Sequence, residues 1–309
     1  MLTIGSRGSQ LALWQARWIQ ARLESFGVKC RLEIIHTTGD KITDVALSKV
    51  GTKGLFTKEI EEALLSGAID LAVHSLKDMP TELPPGLTLA AIPEREDPRD
   101  AMVGARLSDL AQHARVGTSS LRRAAQLLAI RPDLEIENIR GNLDTRLRKL
   151  DEGRYDAIML ASAGLRRLGW ENRISELLEP EVMCPAVGQG ALAVETREDG
   201  GEAYVFSNRL DHCESRIAVT AERAVLASLG GGCQVPIGAH AIIDNGRMVH
   251  IRAVVVSPDG SQVIRKKARG LATDAAAIGR VLGEQLLAEG GKEILETVYG
   301  AEADPSLRT

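Results

Sequence analysis

The sequence predicts two consecutive α/β units followed by a small antiparallel α+β unit. Three observations lead there. Apolar strands alternate with amphipathic helices through the first two thirds of the chain, and this plan occurs twice, on either side of the proline- and charge-rich IPEREDPRD at residues 92–100. Beyond the glycine run at residues 230–232 the pattern changes to strands separated by DNG and SPDG turns. At 309 residues the chain exceeds one ordinary core and suits three domains.

In the first unit, Leu11, Trp14 and Trp18, with a second row at Ala12, Ala16, Ile19 and Leu23, have helical spacing over residues 10–25, and Gly27 closes that helix. RLEIIHTTGD follows as a strand that runs into a turn. A second helix carries Phe56, Ile60 and Leu64 on one face and stops at Gly67. The apolar strand IDLAVH then delivers Ser75, Lys77 and Asp78 to a loop at its C-terminal edge, where open α/β sheets bind ligands.

The second unit repeats the plan. ARVGTSS reads as strand and turn, LRRAAQLLAI as a helix ending before Pro132, and LEIENI as a strand leading to RGN. A helix around DTRLRKL stops at Gly153, and YDAIMLA is the next strand. After PAVGQG come the strand ALAVETR and the helix RIAVTAERAVLASL, which ends at the triple glycine directly before Cys233. An alanine-rich helix near residues 274–288 completes the last unit.

Composition narrows the function classes. With 44% hydrophobic and 26% charged residues the chain matches soluble globular proteins, which excludes a disordered chain. A formal charge of -4 argues against a dedicated nucleic-acid binder. The N-terminus lacks a signal-peptide pattern and no apolar run approaches the ~18 residues that span a bilayer, so the cytoplasm is the expected location. Cysteines 30, 184, 213 and 233 show no CxxC pairing, so spacing indicates neither a metal cluster nor a disulfide framework.

Four features carry candidate chemistry. Arg7, Arg122, Arg123, Arg140 and Arg146 fall at strand-to-helix junctions or in first helical turns, where free backbone N–H groups add to anion binding. Taken singly, each reads equally as a surface ion pair. In GTSSLRR, Thr118, Ser119 and Ser120 can cap a helix whose first turn holds two cations, an electrostatic cost that a bound anion would offset. Asp78 suits an acid, a base or a cation stabiliser, and equally a turn residue before Pro80; His74 reads as a packed strand residue. Cys233 follows three glycines that clear space beside its thiol, although a lone cysteine also serves as a small core residue. The residues by themselves reach an anion-binding α/β protein with a candidate reactive thiol.

Taken together and in order, SRGSQLALWQA, KVGTKGLF, HSLKDMPTELP, EREDPRDA, GTSSLRRAAQL, RGNLDTRL, PAVGQGAL and GGGCQVPIGAHA resemble the hydroxymethylbilane synthases, also called porphobilinogen deaminases. The resemblance spans nearly the whole chain and is most specific through residue 240. It implies two periplasmic-binding-protein-like α/β domains around a cleft and a C-terminal α+β domain with a three-stranded antiparallel sheet. The implied boundaries are residues 1–93 with 189–210, residues 99–188, and residues 214–309.

The resemblance also implies a dipyrromethane cofactor attached through a thioether to Cys233, with Asp78 as the catalytic residue and no metal. Four porphobilinogens are added in turn: each loses ammonia to give an electron-poor azafulvenium, which the free α-carbon of the terminal pyrrole attacks. Arg7, Arg122, Arg123, Arg140, Arg146 and Arg167 are implied to bind the acetate and propionate groups of cofactor and substrate. Ser9, Ser75, Lys77, Thr118, Ser119 and Ser120 add hydrogen bonds or charge, and Gln189 sits where the chain returns to the first domain. Lys49, Lys53 and Phe56 match a loop over the active site. A monomer without membrane or nucleic-acid partner is expected. A periplasmic-type solute-binding module and a thiol-nucleophile hydrolase or transferase are the competing readings of the same residues.

Overall fold

The structure, a computed structural model, describes residues 1–41, 57–230 and 235–303. Its first sheet is built from β1 (Leu2–Ser6), β2 (Cys30–Ile34), β3 (Leu71–Ser75) and β4 (Leu87–Ala91), with helices α1 (Gln10–Glu24), α2 (Thr38–Lys41) and α3 (Lys58–Leu65) in the connections. Ser9 caps α1 by accepting the Ala12 N–H at 3.3 Å. The row Ala16, Ile19 and Leu23 is buried against β1 and β3, whereas Trp14 and Trp18 are only half-buried. The Thr-Gly-Asp stretch expected as a turn is the single helical turn α2.

The second sheet comprises β5 (Asp100–Val103), β6 (Arg115–Gly117), β7 (Glu135–Glu137), β8 (Ala157–Ala161) and β9 (Ile174–Leu178), with α4 (Leu121–Ile130), α5 (Leu143–Asp151) and α6 (Ser162–Arg167). The chain then returns to the first sheet as β10 (Leu192–Arg197), which lies between β3 and β4 and antiparallel to both. The orders are β2-β1-β3-β10-β4 and β7-β6-β8-β5-β9. Both sheets therefore have three parallel strands, then a reversed fourth, then a fifth antiparallel to the fourth. Strands β4, β5 and β9 carried no clear signal in the sequence. Each abuts a charged or proline-rich loop, and β5 is four residues long with an aspartate at its head.

Helices α7 (Glu202–Asn208) and α8 (Cys213–Ser228) lead to a three-stranded antiparallel sheet of β11 (Ile237–Asp244), β12 (Met248–Val256) and β13 (Val263–Leu271). Helix α9 (Ala275–Leu286) packs with α8 on one face of that sheet, and α10 (Lys292–Ala303) ends the described chain. The two helices approach closely: a Cβ at Gly279 would stand 2.1 Å from the Ala221 carbonyl oxygen. Among the described residues no helix is long and apolar enough to cross a membrane.

The three sheets meet at Glu222 of α8, whose side chain is fully buried. It receives both terminal nitrogens of Arg95 in the crossover, at 2.6 and 3.2 Å, and the N–H groups of Gly188 and of Ala241 in β11, at 2.7 and 2.8 Å. Arg95 also donates from Nε to the Gln189 carbonyl at 2.8 Å. Removing one partner of such a buried pair strands the other charge, which typically costs about 3–5 kcal/mol. Glu222→Ala should therefore lower the unfolding free energy by about that amount, while a surface control such as Glu62→Ala changes it by less than about 0.5 kcal/mol; denaturant titration of both variants measures the difference.

Candidate active site

The turn after β3 is fixed from below. Leu76 and Met79 are buried, the Leu76 N–H donates to Ala191 at 3.0 Å, and Gln15 of α1 donates to the Ser75 hydroxyl at 2.9 Å. Between these anchors the single 3-10 turn Leu76–Asp78 leaves Lys77 half-buried and Asp78 exposed. Burial is the largest influence on Lys77, and Arg123 and Arg122 act in the same direction against Asp78 and Asp100; the ammonium is pushed down to about 8. His74 points away from this chemistry and pairs with the buried Glu195 at 3.1 Å, as a strand residue should.

Facing this turn, α4 begins with Ser120 as its cap, accepting the Arg123 N–H at 3.4 Å. Thr118 accepts the Ser120 N–H at 3.1 Å and Ser119 donates to the Ile139 carbonyl, so these hydroxyls also shape the turn. An anion that offsets part of the charge of the two arginines of the first turn lies within the chain itself. Asp100, fully buried at the start of β5, accepts Arg122 Nη1 at 2.7 Å and Nη2 at 3.2 Å and Arg123 Nε at 2.9 Å, and pairs ionically with Arg123 Nη2 at 2.7 Å. Gln189 adds a bond to Asp100 Oδ1 at 2.9 Å and another to the Pro98 carbonyl at 2.7 Å. Burial alone would raise the Asp100 pKa, but the two guanidiniums outweigh it and hold the carboxyl well below the usual range.

The remaining arginines converge from α5 and α6. Arg146 donates from Nε to the Gly141 carbonyl at 2.8 Å, and burial, then the charges of Arg123 and Arg140, push it down to about 10. Asp78 opposes that shift, so the turn after β3 and helix α5 feel one another's charge. Arg140 has a buried Nε without a hydrogen-bond partner, and burial lowers its pKa. Arg167 donates to the Gly190 carbonyl at 2.6 Å and lies 5.9 Å from the centroid of the Trp14 ring. Burial, partly offset by Glu96, brings Arg167 to about 10. Arg7 follows β1 half-buried, one residue before the Gly-Ser that caps α1.

The structure thus brings Lys77, Asp78, Arg122, Arg123, Arg140 and Arg146 into one electrostatic neighbourhood with Asp100. Five cations face two carboxylates there. Lys49, Lys53, Phe56 and Cys233 lie outside the described residues. Of the described cysteines, Cys184 is buried and its thiol is pushed up to about 12 by that burial, which makes it an inert core residue. Two residues of the site were not singled out from sequence: Asp100 and Gln15. For Asp100 a signal existed, since an acid heading the apolar Ala-Met-Val segment and a pair of adjacent arginines in a helix start each call for an opposite charge. Gln15 carries no local signal.

Two family models match in succession. One, described as porphobilinogen deaminase, dipyromethane cofactor binding domain, covers residues 2–204, and the other, porphobilinogen deaminase, C-terminal domain, covers residues 216–288. A porphobilinogen deaminase of Syntrophobacter fumaroxidans is 50% identical over 97% of this chain and 99% of its own length. Those of Trichlorobacter lovleyi and Nitratidesulfovibrio vulgaris are each 52% identical, over 97% of both chains and 98% of both chains respectively. Among solved structures, the methionine binding protein MetQ is 12% identical with a TM-score of 0.43, over 68% of this chain and 89% of its own. With both family models met in order and half the residues shared from end to end, the chain belongs to the porphobilinogen deaminase family.

Proposed function

We propose that Asp78, the cationic surface around it and Cys233 together carry out the deaminase reaction of the family: four porphobilinogens are condensed stepwise onto a dipyrromethane primer, with release of ammonia, to give linear hydroxymethylbilane. The observation that carries this assignment of residues is the surplus of partly desolvated positive charge beside Asp78. Cations crowded out of water repel one another and raise each other's cost, and multiple carboxylates relieve that cost.

The donor set fits a dipyrromethane, whose pyrroles carry acetate and propionate groups. Arg123, Arg140 and Arg146 would hold those groups, and the unpartnered buried Nε of Arg140 is a donor in need of such an acceptor. When bound, the cofactor supplies the electron-rich pyrrole carbon to which substrate is joined. Each charge-assisted contact contributes about 1.5–3 kcal/mol. Arg7, Arg167, Ser9, Ser75, Lys77, Thr118, Ser119 and Ser120 complete the surface as hydrogen-bonding or positioning groups.

Loss of ammonia leaves the methylene carbon of porphobilinogen electron-poor. The Asp78 carboxylate, exposed on its fixed turn, stabilises that developing cation, accepts pyrrole N–H groups and takes part in proton transfer. Cys233 is the permanent tether of the primer, and Lys49, Lys53 and Phe56 belong to a loop over the site. The chain acts as a cytoplasmic monomer, with residues 1–93 and 189–210, 99–188, and 214–309 as its three domains.

Intact-mass measurement with peptide mapping tests the tether: an adduct of dipyrromethane size is expected on the peptide that contains Cys233, and a fully active protein without it would refute the assignment. Asp78→Asn should reduce kcat by about a thousandfold or more with the far- and near-ultraviolet circular dichroism of the wild type; near-normal turnover in that folded variant excludes the role. Because Lys77 holds its proton only up to about pH 8 in the free protein, kcat/KM for porphobilinogen should fall as pH rises past that value. Lys77→Arg should carry the alkaline limb to higher pH, a shift that a pH–rate profile reads directly.

A further inference from the structure

We propose that Asp100 is a positioning residue for the reaction: from β5 it holds the neighbouring guanidiniums of Arg122 and Arg123 in one fork and cancels one of their two charges, leaving the other for a carboxylate of cofactor or substrate. This rests on the reading of the site given above, and it assigns to Asp100 a part in substrate recognition that is separate from stabilising the fold.

The geometry divides the two arginines unequally. Arg122 Nη1 uses both its hydrogens within the chain, on Asp100 Oδ2 at 2.7 Å and on the Cys184 carbonyl at 2.6 Å, and Nη2 reaches Asp100 Oδ1 at 3.2 Å. Cys184 is itself pinned, since its N–H donates to Gln126 Oε1 at 2.8 Å and its carbonyl also accepts Gln126 Nε2 at 3.0 Å. Arg122 is thereby tied to the segment that leads to β10. Arg123 donates from Nε to Asp100 Oδ1 at 2.9 Å and from Nη1 to the Met159 carbonyl at 3.2 Å, while its Nη2 stands 2.7 Å from Asp100 Oδ1 as an ion pair, so it makes two hydrogen bonds where Arg122 makes three. Arg123 therefore keeps a hydrogen on Nη1 and the hydrogens of Nη2 for an outside oxygen, more than Arg122 does. Arg123 is also the member of the pair whose charge is felt at both Lys77 and Arg146.

Asp100 is fully buried and Arg122 and Arg123 are 4% and 6% exposed, so none of the three can exchange its partner for water. A guanidinium has a rigid planar fork, and two hydrogen bonds to one carboxylate fix its orientation as well as its position. Gln189 completes the arrangement by donating to Oδ1, with its Nε2 shared with the Pro98 carbonyl. Around Lys77, the charged groups in play are Asp78 and Asp100, which favour its protonated form, and Arg123 and Arg122, which disfavour it.

The test uses the holoenzyme carrying Asp100→Asn or Asp100→Glu, with kcat, KM, thermal midpoint and the pH dependence of kcat/KM measured for each. Asp100→Asn is expected to raise KM for porphobilinogen about tenfold or more with a smaller effect on kcat, the size expected when one charge-assisted contact is misplaced. It should also move the alkaline limb to lower pH, because a charge that retains the Lys77 proton is gone. Asp100→Glu keeps the charge, so its limb stays in place while the displaced fork still raises KM. A variant that loses thermal stability with KM and limb unchanged overturns the proposal and leaves Asp100 a purely structural residue. Should Asp100→Asn fail to fold, Asp100→Glu decides, and a KM within about twofold of wild type overturns the proposal. The adduct is read by mass and its position by peptide mapping, whereas KM and the limb are read from turnover of each active holoenzyme, so failure of the tether assignment is distinguishable from failure here.

Discussion

Two adjacent guanidiniums at the start of α4 are almost completely removed from water, and one buried carboxylate makes that burial tolerable. An isolated cation in such surroundings would carry a desolvation cost of several kcal/mol, which attraction to a well-placed anion repays only when the remaining protons also find acceptors. Asp100 and the Cys184 and Met159 carbonyls meet most of that condition, and Gln189 donates to Asp100 in turn. Because one anion serves two cations, the cluster keeps a residual positive charge. Arg146 on α5 then sits in a field that already favours anions.

The same cluster explains how two similar sheets come to share one site. In each sheet the fourth strand runs against its neighbours: β5 in the second and β10 in the first. Asp100 is the first residue of β5, and Gln189 lies three residues before β10. Their side chains meet, so the equivalent strands of the two sheets start from a single junction. The turn between Val187 and Ala191 is shaped for it. Gly190 has φ +87, and a Cβ there would stand 2.3 Å from the Glu96 carbonyl oxygen, so only glycine lets the crossover and the returning chain pass this close. Glu222 of α8 braces that junction by holding Arg95 of the crossover, the Gly188 N–H and the Ala241 N–H of β11, which fastens the third unit to the other two.

The sequence made legible whatever rests on periodicity or on local chemistry. The helices from Gln10 and Leu121, the strand that ends at Ser75, and the turns closed by Gly27, Gly67 and Gly153 all follow from apolar spacing and glycine placement, and all stand in the structure. The arginines were found because a helix start with adjacent cations is locally unfavourable. Each side of that pair called for an opposite charge, but the pairing itself was not legible, because Asp100 precedes Arg122 by 22 residues and the two meet only in the folded unit. Likewise β4, β5 and β9 are short, and their identity as strands depends on neighbours that arrive from distant parts of the chain. Lys77 is a similar case: its motif drew attention to it, but its lowered pKa arises from burial and from charges on another unit.

That lowered value shows why the site is built chiefly of arginine. Comparable burial leaves Arg146 and Arg167 at about 10, still fully protonated at neutral pH, whereas the Lys77 ammonium falls to about 8. An ammonium pressed further among the same cations would give up its proton, and with it the attraction for a carboxylate. A guanidinium starts from a pKa of about 12.5 or more and retains its charge through the same desolvation. Under the proposed function, a surface that binds a chain whose carboxylates increase with each added pyrrole needs cations that stay charged when packed together out of water. Arginine is the side chain that meets that requirement, and a lone lysine is tolerated where Asp78 and Asp100 both lie near enough to keep it protonated.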